Sequence, residues 1–230
     1  ALIQGQEQIF RANEVIISSG AIHSPAHLMR AGIGPVGHLK ELGVDVRANL
    51  AGVGQRLMDH PSIACASFIK PDARINNFTR RHMQVALRYS SGISGAPQGD
   101  MFVAVVAKNA WHAVGEQIGS LIIFVNKTFS ETGQVKLASR DWRDEPTVEF
   151  NLLSDKRDLD RLIDGFRRMA AIHASSAMQA VTSDPFPASY SDKVRQVGLV
   201  NKKNDVLTKI MAKLLDGPDA LRRALIEKSI

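Results

Sequence analysis

The chain has 230 residues, 44% hydrophobic and 23% charged, a composition that excludes the disordered and fibrous classes and allows a buried core. Its 29 basic and 23 acidic residues give a formal net charge of +6, but the basic residues are dispersed with few aromatics among them, which argues against a nucleic-acid surface. Cys65 is the single cysteine, which excludes an internal disulfide or a cysteine-rich metal site; no apolar run approaches the roughly 18 to 20 residues of a membrane span, so a soluble, cytoplasmic protein is expected.

In chain order, the first residue is Ala1 rather than Met, and the numbering is expected to start inside a larger protein. Residues Glu14 to Ser19, with the run VIIS before Gly20, predict a buried strand that ends in a tight turn. Ser24-Pro25 predicts the N-cap and first-turn proline of a helix that ends at Gly32. From Gly32 to Pro61, glycine and proline recur around one short helix near His38 to Leu42.

The runs SIACASFI, DMFVAVVA, SLIIFVNKTF and QVKLAS then read as successive strands, and strands without intervening helical periods favour an antiparallel sheet. MQVALRY, within Arg81 to Tyr89, reads as a helix among them. Pro146 to Phe150 predicts a further strand. Asp155 opens an amphipathic helix to about Ala174, with Leu159, Leu162, Ile163, Phe166, Met169 and Ala170 at core-facing spacing. Asp155, Asp158, Asp160 and Asp164 are assigned to its exposed side, paired with Arg157, Arg161 and Arg168. Helices at about Asn204 to Leu215 and Asp219 to Lys228 follow, with Thr182 to Ser191 as a loop, and Arg80-Arg81, Lys202-Lys203 and Arg222-Arg223 read as solvated faces.

The chemistry-bearing patterns are sparse. GIGPVG at Gly32 to Gly37 fits G-x-G-x-x-G, but a helix rather than a strand precedes it and Pro35 interrupts it, so it reads as a helix C-cap and turn. His23 and His27 flank Pro25 with no third ligand nearby, so no metal site is assigned. His60, before Pro61, reads as a loop-ordering hydrogen-bond partner. The serines lack the G-x-S-x-G order of a nucleophile elbow, and no catalytic residue is assigned.

Two compound segments stand apart: GAIHSPAHLMRAGIG, Gly20 to Gly34, and GVGQRLMDHP, Gly52 to Pro61. The first resembles the second signature of the glucose-methanol-choline (GMC) oxidoreductases through Gly20-Ala21, Ser24-Pro25, Leu28-Met29 and Gly32-Ile33-Gly34, with Ala31 where a serine is usual. The second is similar to that family's GVGxNLQDHP, with Arg56 for Asn and Met58 for Gln. Gly133 to Met169 resembles its substrate-domain strand pair and Asp-led helix.

The resemblance implies FAD as cofactor, with Ser19, Gly20, Ala21 and Ser24 as peripheral contacts, and oxidation of an alcohol to an aldehyde by hydride transfer to the flavin. It implies an α+β fold: a remnant of the FAD-binding α/β domain over residues 1–61, then a substrate-binding domain over 62–230, a mainly antiparallel sheet backed by helices. The family's Gly-rich flavin loop and its H-x-x-G-T segment have no counterpart here. The chain by itself is therefore expected to be inactive and not to retain FAD. The alternatives are a binding or structural module, or a lyase on the same flavoprotein scaffold.

Overall fold

The computed structural model describes residues 2–76, 81–188 and 191–229; Arg80 and two residues of the expected loop after Thr182, 189–190, lie outside the described residues. The chain divides into two compact units, one of Ala1–Met58 with Glu131–Leu152 and one of Asp59–Ser130 with Leu153–Ile230. It is an α+β fold.

In the first unit, β1 (Leu2–Ile3) and β2 (Gln6–Glu7) form a small antiparallel hairpin. The VIIS run that follows is not the buried strand expected from its composition: Val15 is 79% and Ile16 85% exposed, with no helix or strand assigned from 8 to 19. A strand exists only through its neighbours' backbone groups, and no described strand lies beside this one. Helix α1 (Gly20–Arg30) starts five residues earlier than Ser24 as N-cap would require, so Ser19 holds the cap position and Pro25 lies inside the helix. The ring removes one N–H near the open N-terminal end, where the orphaned carbonyl can reach water.

Ala26 and Met29 are the buried residues of α1, and Gly32, at φ +86°, closes it by donating its N–H to the Met29 carbonyl at 2.9 Å. A Cβ at Gly32 would lie 2.2 Å from the Asp45 carbonyl oxygen. β3 (Ile33–Gly34), α2 (Val36–Glu41) and β4 (Ala48–Asn49) make a short parallel crossover. The GIGPVG segment is thus a helix cap running through a two-residue strand into α2, and Val36 N–H donates to Asn49 Oδ1 at 3.3 Å. β5 (Gln55–Leu57) ends this stretch.

The second unit is built on β6 (Ser62–Ile69), β7 (Met83–Tyr89), β8 (Met101–Val106) and, after the short α3 (Ala113–Glu116), β9 (Ile118–Val125). MQVALRY is therefore a strand, not a helix. Met83, Val85, Leu87 and Tyr89 alternate with polar or small residues, and pairing with β8 satisfies the edge backbone. β10 (Gly133–Lys136) and β11 (Thr147–Glu149) then pair in the order β11-β10-β5. That pairing puts residues 131–152, expected in the second domain, into the first unit, whose core joins Val135 and Leu137 to Ala26, Met29 and Leu39.

Helix α4 (Lys156–His173) is capped by Asp155, whose side chain accepts the Arg157 N–H. α5 (Ser176–Val181) follows, and then β12 (Thr182–Pro187), α6 (Asp192–Gly198), α7 (Lys202–Leu215) and α8 (Asp219–Ser229). The segment from Thr182 was expected to be a loop; it pairs with β6 and completes an antiparallel sheet of order β12-β6-β9-β8-β7. Leu162 and Met169 of α4 pack on Cys65, Met101, Val103, Leu121, Ile123 and Val125 from one face of that sheet. Each such fully buried side chain contributes about 1.5 to 3 kcal/mol.

The rest of the expected core face of α4 is different. Leu159 and Ile163 are both 41% exposed and Ala170 is exposed, whereas Asp158 and Arg161 are buried. Lys156–Asp160, Arg157–Asp155 and Arg168–Asp164 are the exposed pairs. Arg222 is no solvated residue either: it is 8% exposed, with its guanidinium carbon 4.5 Å from the centre of the Phe68 ring.

Candidate functional site

The four residues assigned to the cofactor come together at the start of α1. Ser19, Gly20 and Ala21 are exposed and Ser24 is half-buried. Ser19 makes no side-chain cap, and instead the Ser24 hydroxyl oxygen accepts the Ser19 backbone N–H at 3.0 Å. Gly20 has φ +80° and open space where a Cβ would stand. The first-turn N–H groups and the positive end of the helix are left available, with a glycine that lets another molecule's atoms approach the backbone closely. The site lacks an acidic residue in the first turn that would oppose a negative group. These residues fit a phosphate, carboxylate or carbonyl oxygen of a bound cofactor.

The second landmark segment acts structurally. Gly54, at φ +77°, brings its backbone against β10: the Val135 N–H donates to the Gly54 carbonyl at 2.7 Å, and a Cβ there would lie 2.3 Å from the Val135 oxygen. Arg56, where the family pattern has Asn, sits at φ +57° and pairs with Glu131. His60 donates its backbone N–H to Asp59 Oδ1 at 2.7 Å and its ring Nδ1 lies 3.0 Å from the Val125 carbonyl. With Val125 N–H donating to the Pro61 carbonyl at 3.1 Å, the Asp-His-Pro turn is fastened to the end of β9. His60 thus orders a loop.

The sheet face turned away from α4 carries the other candidate surface. Strand register sets Ser62, Phe124, Phe102 and Arg88 in one row and Ala64, Ile122, Ala104 and Ala86 in the next. Phe102 and Phe124 pair with ring centres 5.9 Å apart and planes tilted by 47°. Three alanines around Ile122 make a low floor beside this aromatic wall, and Phe102, Ile122 and Phe124 are only half-buried. Beyond them Asn109 Nδ2 donates to Ser120 Oγ at 2.7 Å. Such a face offers apolar contact with a few placed polar groups, the composition of small-molecule sites. Sequence reading assigned no residue here; the signal it could have used is the even-numbered Phe102, Ile122 and Phe124, which alternation throws onto one face.

His23 Nε2 lies 3.6 Å from Glu145, and His27 is exposed. Among the described residues no three His, Cys, Asp or Glu side chains are grouped to hold a metal ion. None of the described helices is long and apolar enough to cross a membrane.

Comparison with known proteins agrees with these landmarks. Two family models, both described as GMC oxidoreductase, match residues 3–62 and 129–210. The chain belongs to the GMC oxidoreductase family. It is 38% identical to 5-(hydroxymethyl)furfural oxidase of Methylovorus sp. (strain MP688) over 183 residues, 77% of this chain and 33% of that protein. It is 30% identical to choline oxidase of Arthrobacter globiformis over 174 residues, 72% of this chain and 31% of the relative. The chain thus spans about a third of the length of these curated relatives.

Among solved structures, a variant of formate oxidase from Aspergillus oryzae RIB40, studied for FAD modification, superposes with a TM-score of 0.67 at 20% identity over 80% of this chain and 41% of that one. Pyridoxine 4-oxidase from Mesorbium loti gives 0.63 at 18% identity, covering 83% and 37%. At these identities the likeness shows the fold.

Proposed function

We propose that the whole protein is an FAD-dependent oxidoreductase that converts a primary or choline-like alcohol to an aldehyde, as an oxidase or dehydrogenase, and that this chain supplies cofactor contacts and a substrate-binding sheet face. The observation that carries the reading is the start of α1, where an uncapped helix N-terminus and an open Gly20 coincide with the family signature. When bound, FAD supplies the two-electron acceptor for the hydride lost by the alcohol carbon.

In this reading Gly20 and Ala21 direct backbone N–H groups to an acceptor oxygen of the cofactor, the exposed Ser19 offers its hydroxyl, and Ser24 holds the turn by accepting the Ser19 N–H on its own hydroxyl oxygen. Phe102, Ile122 and Phe124 contact the apolar part of the alcohol and exclude water from it. No side chain of this chain is assigned to take the alcohol proton. The chain alone, without those further groups, neither retains FAD nor turns over alcohol. A cytoplasmic setting belongs to the same proposal, and the lone, buried Cys65 is compatible with it.

The test is to purify the whole protein and add 5-(hydroxymethyl)furfural or choline without oxygen. Bleaching of a stoichiometric flavin absorbance supports the proposal; absence of flavin, or a flavin that no alcohol bleaches, overturns it. The same measurement on the 230-residue chain with added FAD is expected to show no bleaching.

A further inference from the structure

Helix α7 has its hydrophobicity turned outward. The residues it buries are Asn204, Thr208, Ala212 and Leu215, three of them small or polar, whereas its larger aliphatics lie outside. Val206 is 57% and Ile210 55% exposed, and Leu207 and Leu214 are exposed as well. The spacing of i, i+4 and i+8 sets Val206, Ile210 and Leu214 in one stripe along the helix. The turn that leads into α7 adds Leu199 and Val200, the latter 81% exposed. Trp111, itself exposed, is tied to that turn by its Nε1–H, which donates to the Gly198 carbonyl at 2.9 Å.

Charge decides what such a face fits. Residues 192–228 hold nine Lys or Arg against five Asp or Glu, which is most of the surplus in a chain of net charge +6. Lys202, Lys203, Lys209 and Lys213 each stand three or four residues from Val206 or Ile210, on the same side of the helix. Lys209 pairs with Asp205, and Lys202, Lys203 and Lys213 have no acidic partner among the described residues. Two copies of this face would bring lysines against lysines, which disfavours self-association. Leu199, Val200 and Trp111 widen the apolar surface beyond the single stripe that a partner's groove takes up. Lysines around an exposed aliphatic stripe, with a tryptophan nearby, are the composition of helices that lie in the interface of an anionic bilayer.

We propose that α7 and the turn before it dock the protein on a membrane surface rich in anionic phospholipid. Val206, Ile210 and Leu214 enter the boundary between headgroups and acyl chains, Leu199 and Val200 add apolar contact at the start of the helix, and the lysines meet the lipid phosphates. The helix lies on the bilayer and does not cross it. This attachment is independent of the flavin chemistry above.

The experiment is co-sedimentation of the 230-residue chain, and of the whole protein, with vesicles of phosphatidylcholine alone and of phosphatidylcholine mixed with phosphatidylserine. The expected result is binding to the mixed vesicles only, weakened as salt is raised. Ile210→Glu, at an exposed position, is expected to weaken it about tenfold or more and Lys203→Gln about fivefold, while Lys40→Gln, on α2, leaves it unchanged. Absence of binding to the mixed vesicles, or equal binding to both kinds, overturns the proposal. So does a whole protein that stays in solution while the chain binds, because the face then packs against the rest of the protein. Binding that Ile210→Glu leaves unchanged, or that Lys40→Gln weakens as much as Lys203→Gln, is general attraction of a cationic chain and refutes the site.

Discussion

Arg161 and Asp100, on α4 and at the start of β8, meet with Nη1 2.8 Å from Oδ2 and no solvent exposure of either side chain. Arg161 also pairs with Asp158 one turn earlier on its own helix. Asp158 accepts the N–H groups of Phe129 and Ser130 and the Ser130 hydroxyl, and Asp100 accepts the N–H and hydroxyl of Ser91. One guanidinium between two carboxylates therefore ties α4 to two loops that sequence leaves far apart. Replacing it leaves two buried charges unpaired. Arg161→Met is expected to lower stability by about 3 to 5 kcal/mol, measured by denaturant unfolding; a loss under about 1 kcal/mol would show that the network is not holding the helix.

The same network fixes an acid limit. Burial pushes the Asp158 carboxyl up, but the donors from Phe129, Ser130 and Arg161 outweigh it and hold the group below its ordinary 3.8. Asp100 follows the same pattern through burial opposed by Ser91 and Arg161. Because the folded-state values lie below the unfolded ones, both groups contribute stability that is complete above about pH 5 and is lost as pH falls through and below the ordinary carboxylate value. Melting temperatures between about pH 5 and 3 should fall less steeply in Asp158→Asn than in the parent chain. Equal slopes would refute the assignment.

How far the sequence carries the fold depends on whether an element's partners are nearby in the chain. SIACASFI and SLIIFVNKTF are legible because both faces of those strands are apolar, and the Asp155 cap and α4 because cap and periodicity are local. MQVALRY carried a period-two alternation that its helix-forming Gln, Ala, Leu and Arg obscured, and pairing with β8 decided it. VIIS reads as a buried strand on composition alone, yet with no described neighbour it is exposed and joins no sheet. Asp158 and Arg161 looked like a solvated i,i+3 pair because their third partner, Asp100, is 61 residues from Arg161. For the site, the signature pointed to the start of α1 while the Ser-Pro capping rule put its cap at Ser24 instead of Ser19, and the Phe102 and Phe124 face required strand register.

Gly54 offers a test of the second landmark segment. A side chain there meets the Val135 oxygen and must also adopt φ +77°, and both penalties act on the β5 and β10 junction. Gly54→Ala is expected to cost about 2 kcal/mol or more in thermal or denaturant unfolding. Arg56→Asn, which relieves a left-handed arginine at the loss of an exposed ion pair, is expected to be neutral or mildly stabilising. If the two substitutions behave alike, backbone conformation is not what this segment specifies.

Gly165 sets helix propensity against packing. A glycine in the middle of α4 costs about 1 kcal/mol relative to alanine, so propensity alone predicts that Gly165→Ala stabilises the chain. Yet a Cβ at that position would stand 2.0 Å from Ile123 Cδ1, with Cγ1 of the same residue at 3.2 Å and the Tyr89 hydroxyl at 3.1 Å. Ile123 is fully buried in the core beneath α4, and its β-branched side chain has little rotamer freedom with which to yield. Overpacking of a filled core costs about 1 to 3 kcal/mol, and a contact this short belongs at the upper end. Gly165→Ala is therefore expected to lose about 1 to 2 kcal/mol net. The cause is checked by combining it with Ile123→Val, which removes the clashing Cδ1. If packing is responsible, the double variant is more stable than the sum of the single changes. Additive losses would place the penalty elsewhere, and a stabilised Gly165→Ala would mean that α4 can rise from the sheet at little cost.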